Sequence, residues 1–266
     1  SMAPLAEVLH GEGLVISGSD MSRSEKVTEL EERGIHVNIG HSSGNITDDI
    51  DFIVRTAAVR DDNPEIRAAR EKGIPVFERT QAWGTLMKGY RNALCISGTH
   101  GKTTTTSMCT HILMAAEKDP TVMIGGTLPL LQAGHRVGQG DTIVMESCEY
   151  YDSFLSFYPT IAVILDVEAD YLDYFKDIEA VKASFRKFAA LVPPDGTVIV
   201  NADDPNAMES VAGLDRHIMT FGLSDGVDVR AVNIVSGGAQ TDFDVVSGGE
   251  LFAHLHLNVP GIHNVK

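Results

Sequence analysis

Ala93-Leu94-Cys95-Ile96-Ser97-Gly98-Thr99-His100-Gly101-Lys102-Thr103-Thr104 is an apolar run that breaks into a polar loop punctuated by glycine. Residues 93–97 have the length and unbroken apolar character of a strand buried on both faces. Residues 103–116 read as a helix, with Met108, Ile112 and Ala115 on one side. Strand, glycine-rich turn and helix in immediate succession are the context a phosphate-binding loop requires. Glycines let backbone N–H groups turn inward around oxyanions, and a helix N-terminus adds a favourable dipole. Lys102 supplies a point charge for the terminal phosphates, and the Thr103 hydroxyl suits Mg²⁺. Gly98, Thr99, His100, Gly101, Lys102, Thr103 and Thr104 are therefore the expected ligands of ATP and its Mg²⁺. Their spacing, G-x-x-G-K-T, is two residues shorter than the common G-x-x-x-x-G-K-[ST] loop. The plain alternative is a glycine-containing turn beside a solvent lysine, against which the coincidence of all five features argues.

Outward from this loop, short β-prone runs alternate with helices. Toward the N-terminus strands are expected at 14–17, 36–39, 52–55 and 75–78, the first leaving through Ser17-Gly18-Ser19-Asp20. Helices are expected at 24–33, stopped by Gly34, and from Pro64 to 70 or 72, stopped by Gly73. Strands separated by helices imply crossover connections, hence a parallel, doubly wound, Rossmann-like sheet. A short helix at 81–88 leads to a boundary near residue 90. The chain thus divides into residues 1–90 and 91–266. Beyond it, apolar runs at 142–146, 161–166 and 197–201 are strands, and 178–191 is an amphipathic helix through Val181, Phe185, Phe188 and Leu191. After residue 216 only strands follow, at 229–235, 241–246 and 251–258, separated by Gly-Gly turns. They read as antiparallel strands added to the edge of the sheet. The fold class is α/β.

Among 266 residues, 43% are hydrophobic and 22% charged, ordinary globular composition. Lys and Arg number 21 against 37 Asp and Glu, a formal charge of −16. With no basic block to release counterions, nucleic acid is not an expected partner. Cys95, Cys109 and Cys148 have neither disulfide-framework nor CxxC spacing, which fits a reduced, cytoplasmic setting. No apolar stretch reaches membrane-span length.

The loop at 98–104, histidine included, resembles the phosphate loop of the Mur ligase family of bacterial peptidoglycan synthesis. Ser17-Gly18-Ser19-Asp20 and Asp62-Asn63-Pro64-Glu65 are similar to motifs of that family's UDP-sugar-binding first domain. Glu146, in Val144-Met145-Glu146-Ser147-Cys148-Glu149, matches the acidic end of a central-domain strand. Glu168-Ala169-Asp170 matches a further motif, and Pro260-Gly261-Ile262-His263-Asn264 the exit of the ATP domain. Two positions depart from the family pattern: Asp166 stands where the family has Asn, and Tyr171 where it has the metal-binding His of a D-H-L-D motif. Tyrosine hydroxyl is a poor divalent-metal ligand at neutral pH.

The resemblance implies an ATP-dependent acid–amino-acid ligase with UDP-N-acetylmuramate and L-alanine as substrates, acting in the cytoplasm. The substrate carboxylate attacks the ATP γ-phosphate, and the amine then displaces phosphate from the acyl phosphate. It implies Lys102 and Glu146 as catalytic groups, Thr103 and Glu146 as metal ligands, and His263 and Asn264 as ATP contacts. Ser19, Asp20, His41, Thr56 and Asn63 are implied for the UDP-sugar. It further implies a first strand and G-x-G-G loop before Ser1 and an amino-acid-binding domain after Lys266, so residues 1–266 alone are expected to lack turnover. Beside these readings stand plainer ones. Glu146 as a surface carboxylate, Ser19 and Asp20 as loop caps, Asn63 as a helix N-cap and 260–264 as a terminal turn all remain open. Tyr150, Tyr151 and Tyr158 read as packing, and Cys148 as a packed thiol. A non-catalytic paralogue that holds a UDP-sugar or ATP is the competing function, favoured by Tyr171; a peptide acceptor is a closer variant.

Overall fold

The computed structural model describes residues 2–266. The N-terminal part runs α1 (Ala3–Gly11), β1 (Ser17–Asp20), α2 (Glu25–Glu32), β2 (His36–Ile39), β3 (Ile53–Arg55), α3 (Pro64–Glu71), β4 (Val76–Glu78) and α4 (Arg79–Met87). Its strands pair in parallel as expected, but in two separate ladders, β1 with β2 and β3 with β4, rather than one sheet. Ser17–Asp20 is itself strand, not the exit from one, because its backbone pairs with 36–39; Val15, expected in the strand, is fully exposed. Helix α2 starts where the Ser24 side chain accepts from the Val27 N–H, and α3 where Asn63 accepts from Glu65, each supplying an acceptor to an otherwise orphaned donor.

The rest forms β5 (Asn92–Ser97), α5 (Lys102–Ala115), β6 (Thr121–Leu128), β7 (Ala133–Arg136), β8 (Thr142–Glu146) and β9 (Ile161–Ile164). There follow α6 (Ile178–Ala190), β10 (Thr197–Asn201), α7 (Pro205–Val211), β11 (His217–Gly222), β12 (Val229–Gly237), β13 (Gln240–Ser247) and β14 (Glu250–Leu257). They make one ten-stranded sheet in the order β14-β13-β12-β11-β10-β9-β5-β8-β6-β7. From β12 across to β6 every pair is parallel; β7 at one edge, and β12 with β13 and β13 with β14 at the other, pair antiparallel, the meander as expected. Helix α1, strands β6, β7 and β11 and helix α7 are elements beyond those expected; the Gly125-Gly126 pair interrupts what would otherwise look like a strand at 121–128.

Alternation along β5 places its side chains in two cores. Ala93 and Cys95 face a cluster with Ile143, Met145, Ala162, Ile164, Val198 and Val200, covered by Phe185 and Phe188 of α6; Leu5, Val8, Trp83 and Met87 of α1 and α4 belong to it too. Leu94 and Ile96 face the opposite cluster under Cys109 and Leu113 of α5. Helix α5 buries Thr106 and Thr110 rather than the expected Met108–Ile112 side, and Ile112 is exposed. The loop at its start sets its rotation, and the Thr110 hydroxyl is satisfied within the helix by the Thr106 carbonyl. Helix α6 presents the expected Val181, Phe185 and Phe188, capped by Asp177. Glu7 of α1 is buried, forms an ion pair with Arg33 (3.2 Å) and accepts from His135 of β7 (3.0 Å), which ties the two parts together.

Phe188 is fully buried and stacks on Phe154 at 4.5 Å. Phe188→Ala is expected to lower unfolding free energy by about 3–5 kcal/mol in urea titration, as large-to-small core changes do. A loss below about 1 kcal/mol would place α6 outside the core.

Candidate functional site

Strand β5 ends at buried Ser97, whose hydroxyl donates to the Val163 carbonyl of β9 at 2.6 Å and so anchors the strand exit. Gly98 follows at φ +147°; a Cβ there would lie 2.8 Å from an Asp166 carboxylate oxygen and 2.9 Å from the Leu165 Cβ. The loop is braced on the segment after β9. The Thr99 N–H donates to the Asp166 carbonyl (3.1 Å), the His100 N–H to Asp166 Oδ1 (2.8 Å), and the Thr99 hydroxyl accepts from the Glu168 N–H (2.9 Å). Gly101, at φ +78°, is the N-cap of α5. Among the described residues no protein acceptor takes the N–H groups of Gly101, Lys102, Thr103 or Thr104. The sequence-expected loop therefore divides: Thr99 and His100 shape it, and 101–104 offer donors to an anion at a helix N-terminus.

Lys102 lies back over the loop, donating to the carbonyls of Gly98 and Thr99 (3.1 Å for Thr99) and to Glu149 Oε2 at 3.2 Å. Glu146 sits at the C-terminal end of β8, where ligands gather in open α/β sheets. Its Oε1 accepts from the Thr103 hydroxyl at 3.0 Å and its Oε2 from the Gly125 N–H at 2.6 Å. A Cβ on Gly125 would come within 2.6 Å of that carboxylate, so the glycine permits the contact. Thr103 and Glu146 thus place two hard oxygen donors side by side at the loop rim, the donor chemistry Mg²⁺ selects.

Glu149 stands three residues beyond Glu146 and takes its role from its surroundings. It is 1% exposed, it pairs with Lys102, and its Oε1 has no partner among the described residues. Burial pushes its carboxyl up, and the Lys102 charge reverses this only in part. Only the depth of the site reveals it, since a second carboxylate three residues after the first carries no periodic signal. Tyr171 has φ +51° and stacks on Tyr150 at 4.4 Å. Burial first, then neighbouring Cys148 and Glu149, pushes its phenol up to about 12, so it stands as a neutral hydroxyl rather than a metal ligand. Tyr151 and Tyr174 complete that aromatic group; Tyr158 lies elsewhere, beneath Lys88. Burial likewise raises the Cys148 thiol, in keeping with a packed side chain. Asp166 is raised by burial, against the pull of the His100 N–H.

A second polar cluster forms at the C-terminal ends of β1 and β2. The Ser19 hydroxyl donates to Glu65 Oε2 at 2.6 Å, His41 Nδ1 donates to the same oxygen at 3.0 Å, and Asn45 donates to Glu65 Oε1 at 2.7 Å. Ser19 and His41 are thus brought together by Glu65, and Asn45 joins them; neither Glu65 nor Asn45 was singled out by sequence. Burial drives the Glu65 carboxyl up, yet the bonds from Ser19, Asn45 and His41 more than reverse this and leave it below 4.5. Asn63 caps α3 through the Glu65 N–H. Asp20 accepts from the Ser22 N–H, and Thr56 follows β3 without joining the cluster. The Asn264 side-chain amide donates to the Pro260 carbonyl and bonds to the His263 ring, and among the described residues neither residue reaches the phosphate loop. A cavity of about 670 Å³ opens between Leu9, Leu14, Phe52, Phe77, Leu86 and Tyr90, and no expected site residue lines it. No helix of the described residues is long and apolar enough to cross a membrane.

Residues 96–266 match the Mur ligase middle domain and residues 1–91 the Mur ligase family catalytic domain. The whole chain is 47% identical to a UDP-N-acetylmuramate–L-alanine ligase of Clostridium novyi over 265 residues, and 44% to one of Caldanaerobacter subterraneus over 266. It spans 57% and 58% of those relatives' lengths. A UDP-N-acetylmuramate–alanine ligase structure from Thermotoga maritima superposes with a TM-score of 0.78 at 29% identity, covering all of this chain and 60% of that one. A UDP-N-acetylmuramate:L-alanyl-γ-D-glutamyl-meso-diaminopimelate ligase from Neisseria meningitidis shares the fold, with a TM-score of 0.84 at 24% identity, over 99% of this chain and 86% of that one.

Glu65→Gln leaves the His41 and Ser19 donors without their carboxylate, an expected cost of about 1–3 kcal/mol near neutral pH. Because the folded carboxyl lies below 4.5, that contribution is present above 4.5 and fades as pH falls below it. Urea unfolding at neutral and acid pH should show the gap between wild type and variant narrowing in acid; a gap that widens there contradicts the network.

Proposed function

The chain belongs to the Mur ligase family, and from that membership we propose that it forms the nucleotide- and UDP-sugar-handling part of an ATP-dependent ligase. The ligase joins L-alanine to the carboxylate of UDP-N-acetylmuramate, in the bacterial cytoplasm, for peptidoglycan precursor synthesis. The identity to two alanine ligases along the whole chain favours that acceptor over a peptide. One observation carries the nucleotide half of the reading: four backbone N–H groups without acceptors among the described residues stand beside Lys102 at the start of α5.

In the reaction the sugar carboxylate attacks the γ-phosphate and the alanine amine then displaces phosphate from the acyl phosphate. Both partners in the first step are anions, so positive charge and alignment matter more than covalent help from the protein. The N–H groups of 101–104 hold phosphate oxygens and fix their position. Lys102, tethered by the loop's own carbonyls, carries its charge to the same oxygens. Mg²⁺, when bound, neutralises the developing phosphate charge, and Thr103 and Glu146 are the residues that would hold it. At the ends of β1 and β2, Ser19 has its hydroxyl proton committed to Glu65, so His41 is the more available contact for the UDP-sugar. Asp20 ends β1 and Thr56 and Asn63 lie between β3 and α3, and His263 and Asn264 are the further candidates for the nucleotide.

A non-catalytic reading keeps one observation in its favour: Tyr171 is a neutral phenol locked in a stack where the family resemblance expects histidine. Lys102→Ala is expected to weaken MgATP binding by on the order of 100-fold in calorimetric titration while the fold persists. Unchanged affinity would end the nucleotide reading. Release of ADP and phosphate by the full-length protein with UDP-N-acetylmuramate and L-alanine distinguishes enzyme from paralogue. If metal loss limits the rate, Tyr171→His should raise both rate and Mg²⁺ affinity, and no change in either removes that explanation.

A further inference from the structure

An ammonium group has three N–H donors, and all three of Lys102 are engaged, by the Gly98 carbonyl, the Thr99 carbonyl and Glu149 Oε2. The two carbonyls belong to the loop and hold the side chain over it. The third acceptor is different, being a carboxylate carried by the chain just beyond β8. For Lys102 to reach a phosphate oxygen, one of the three bonds must open. Glu149 is the one that an incoming anion replaces with no change in the loop's own shape. The replacement leaves a carboxylate that is 1% exposed without its cation, a costly state. One oxygen of this group is already unusual, since Oε1 is buried and meets no donor among the described residues. A buried carboxylate oxygen without a partner costs free energy unless a ligand meets it.

We infer that Glu149 occupies the place of the nucleotide phosphate on Lys102, and that, once displaced, it is neutralised through Oε1 by the divalent cation entering with the nucleotide. Glu149 thereby couples nucleotide binding to metal binding. The cation meets Oε1 directly or through one of its waters, as Mg²⁺ commonly does. The inference rests on the nucleotide reading of the loop. It adds to it a reason for the two ligands to bind together, distinct from their own mutual attraction, which no protein substitution removes.

The coupling is measurable without turnover. ADP is titrated calorimetrically into the chain in EDTA and again in excess Mg²⁺, for wild type, Glu149→Gln and Glu149→Asp, with circular dichroism as the check on folding. Glu149→Gln removes the competing charge, so ADP should bind about tenfold more tightly without metal. The ratio of affinities with and without Mg²⁺ should fall by about the same factor, since binding couplings are reciprocal. Glu149→Asp keeps the charge but shortens the reach to Lys102, so metal-free affinity should rise while the Mg²⁺ ratio is kept. If Glu149→Gln does not fold, the aspartate variant decides, and unchanged metal-free affinity there overturns the inference. A glutamine variant that binds ADP more weakly in EDTA, or keeps the wild-type Mg²⁺ ratio, overturns it too. Wild type that binds no ADP in either buffer sinks the nucleotide reading, and this inference with it.

Discussion

Four N–H groups at the start of α5 have no acceptor among the described residues, and the neighbouring structure is arranged around that fact. Unmet donors at a helix start concentrate positive potential, which suits an anion and little else. The cradle keeps its shape because its remaining donors are spent elsewhere. Thr99 and His100 give theirs to Asp166, and Ser97 ties the strand exit to β9. Asp166, which stands where the family resemblance expects asparagine, thus has a role in this chain: one residue accepts through both its carbonyl and its carboxylate. Its charge is partly buried, and the backbone donor from His100 offsets some of the cost.

The position of the loop follows from strand order. β5 lies between β9 and β8, while the chain leaves it through α5 for β6 beyond β8. That reversal opens a crevice at the C-terminal ends of the strands, and Glu146 at the end of β8 and the 165–168 segment after β9 both border it. The second polar cluster obeys the same geometry on a smaller scale, at the ends of β1 and β2. There a single buried carboxylate, Glu65, orders three polar side chains. Its low pKa records how fully its oxygens are satisfied, whereas Glu149, with one oxygen unmet, is displaced in the opposite direction.

Tyr171 shows how a departure from a family motif is absorbed. Its ring stacks on Tyr150, and Tyr151 and Tyr174 extend the aromatic contact. Three residues of this region, Tyr151, Asp152 and Tyr171, hold positive φ angles that side chains rarely adopt. Such strain persists only where surrounding packing enforces it. The Tyr174–Asp152 and Ser184–Asp152 hydrogen bonds supply that enforcement.

Whatever depends on neighbours in the chain was legible in the residues. The strand–loop–helix at 93–115, the apolar stripe of α6, the parallel pairing of short strands and the edge meander all follow from local periodicity and turn chemistry. Lys102 and Thr103 stood out by their spacing after the strand, whereas Glu146 was marked only by the family resemblance. Tertiary structure decided what depends on distance through space. Strand 17–20 took its register from 36–39, against the propensity of the run just before it. Helix α5 turned its threonines inward because the loop fixed its rotation, against its own apolar side. Glycines at 125 and 126 concealed a strand whose backbone must approach Glu146 closely. Glu65 and Glu149 were visible as letters but not as roles, since a carboxylate acquires one only when burial removes water and leaves a particular donor as its partner.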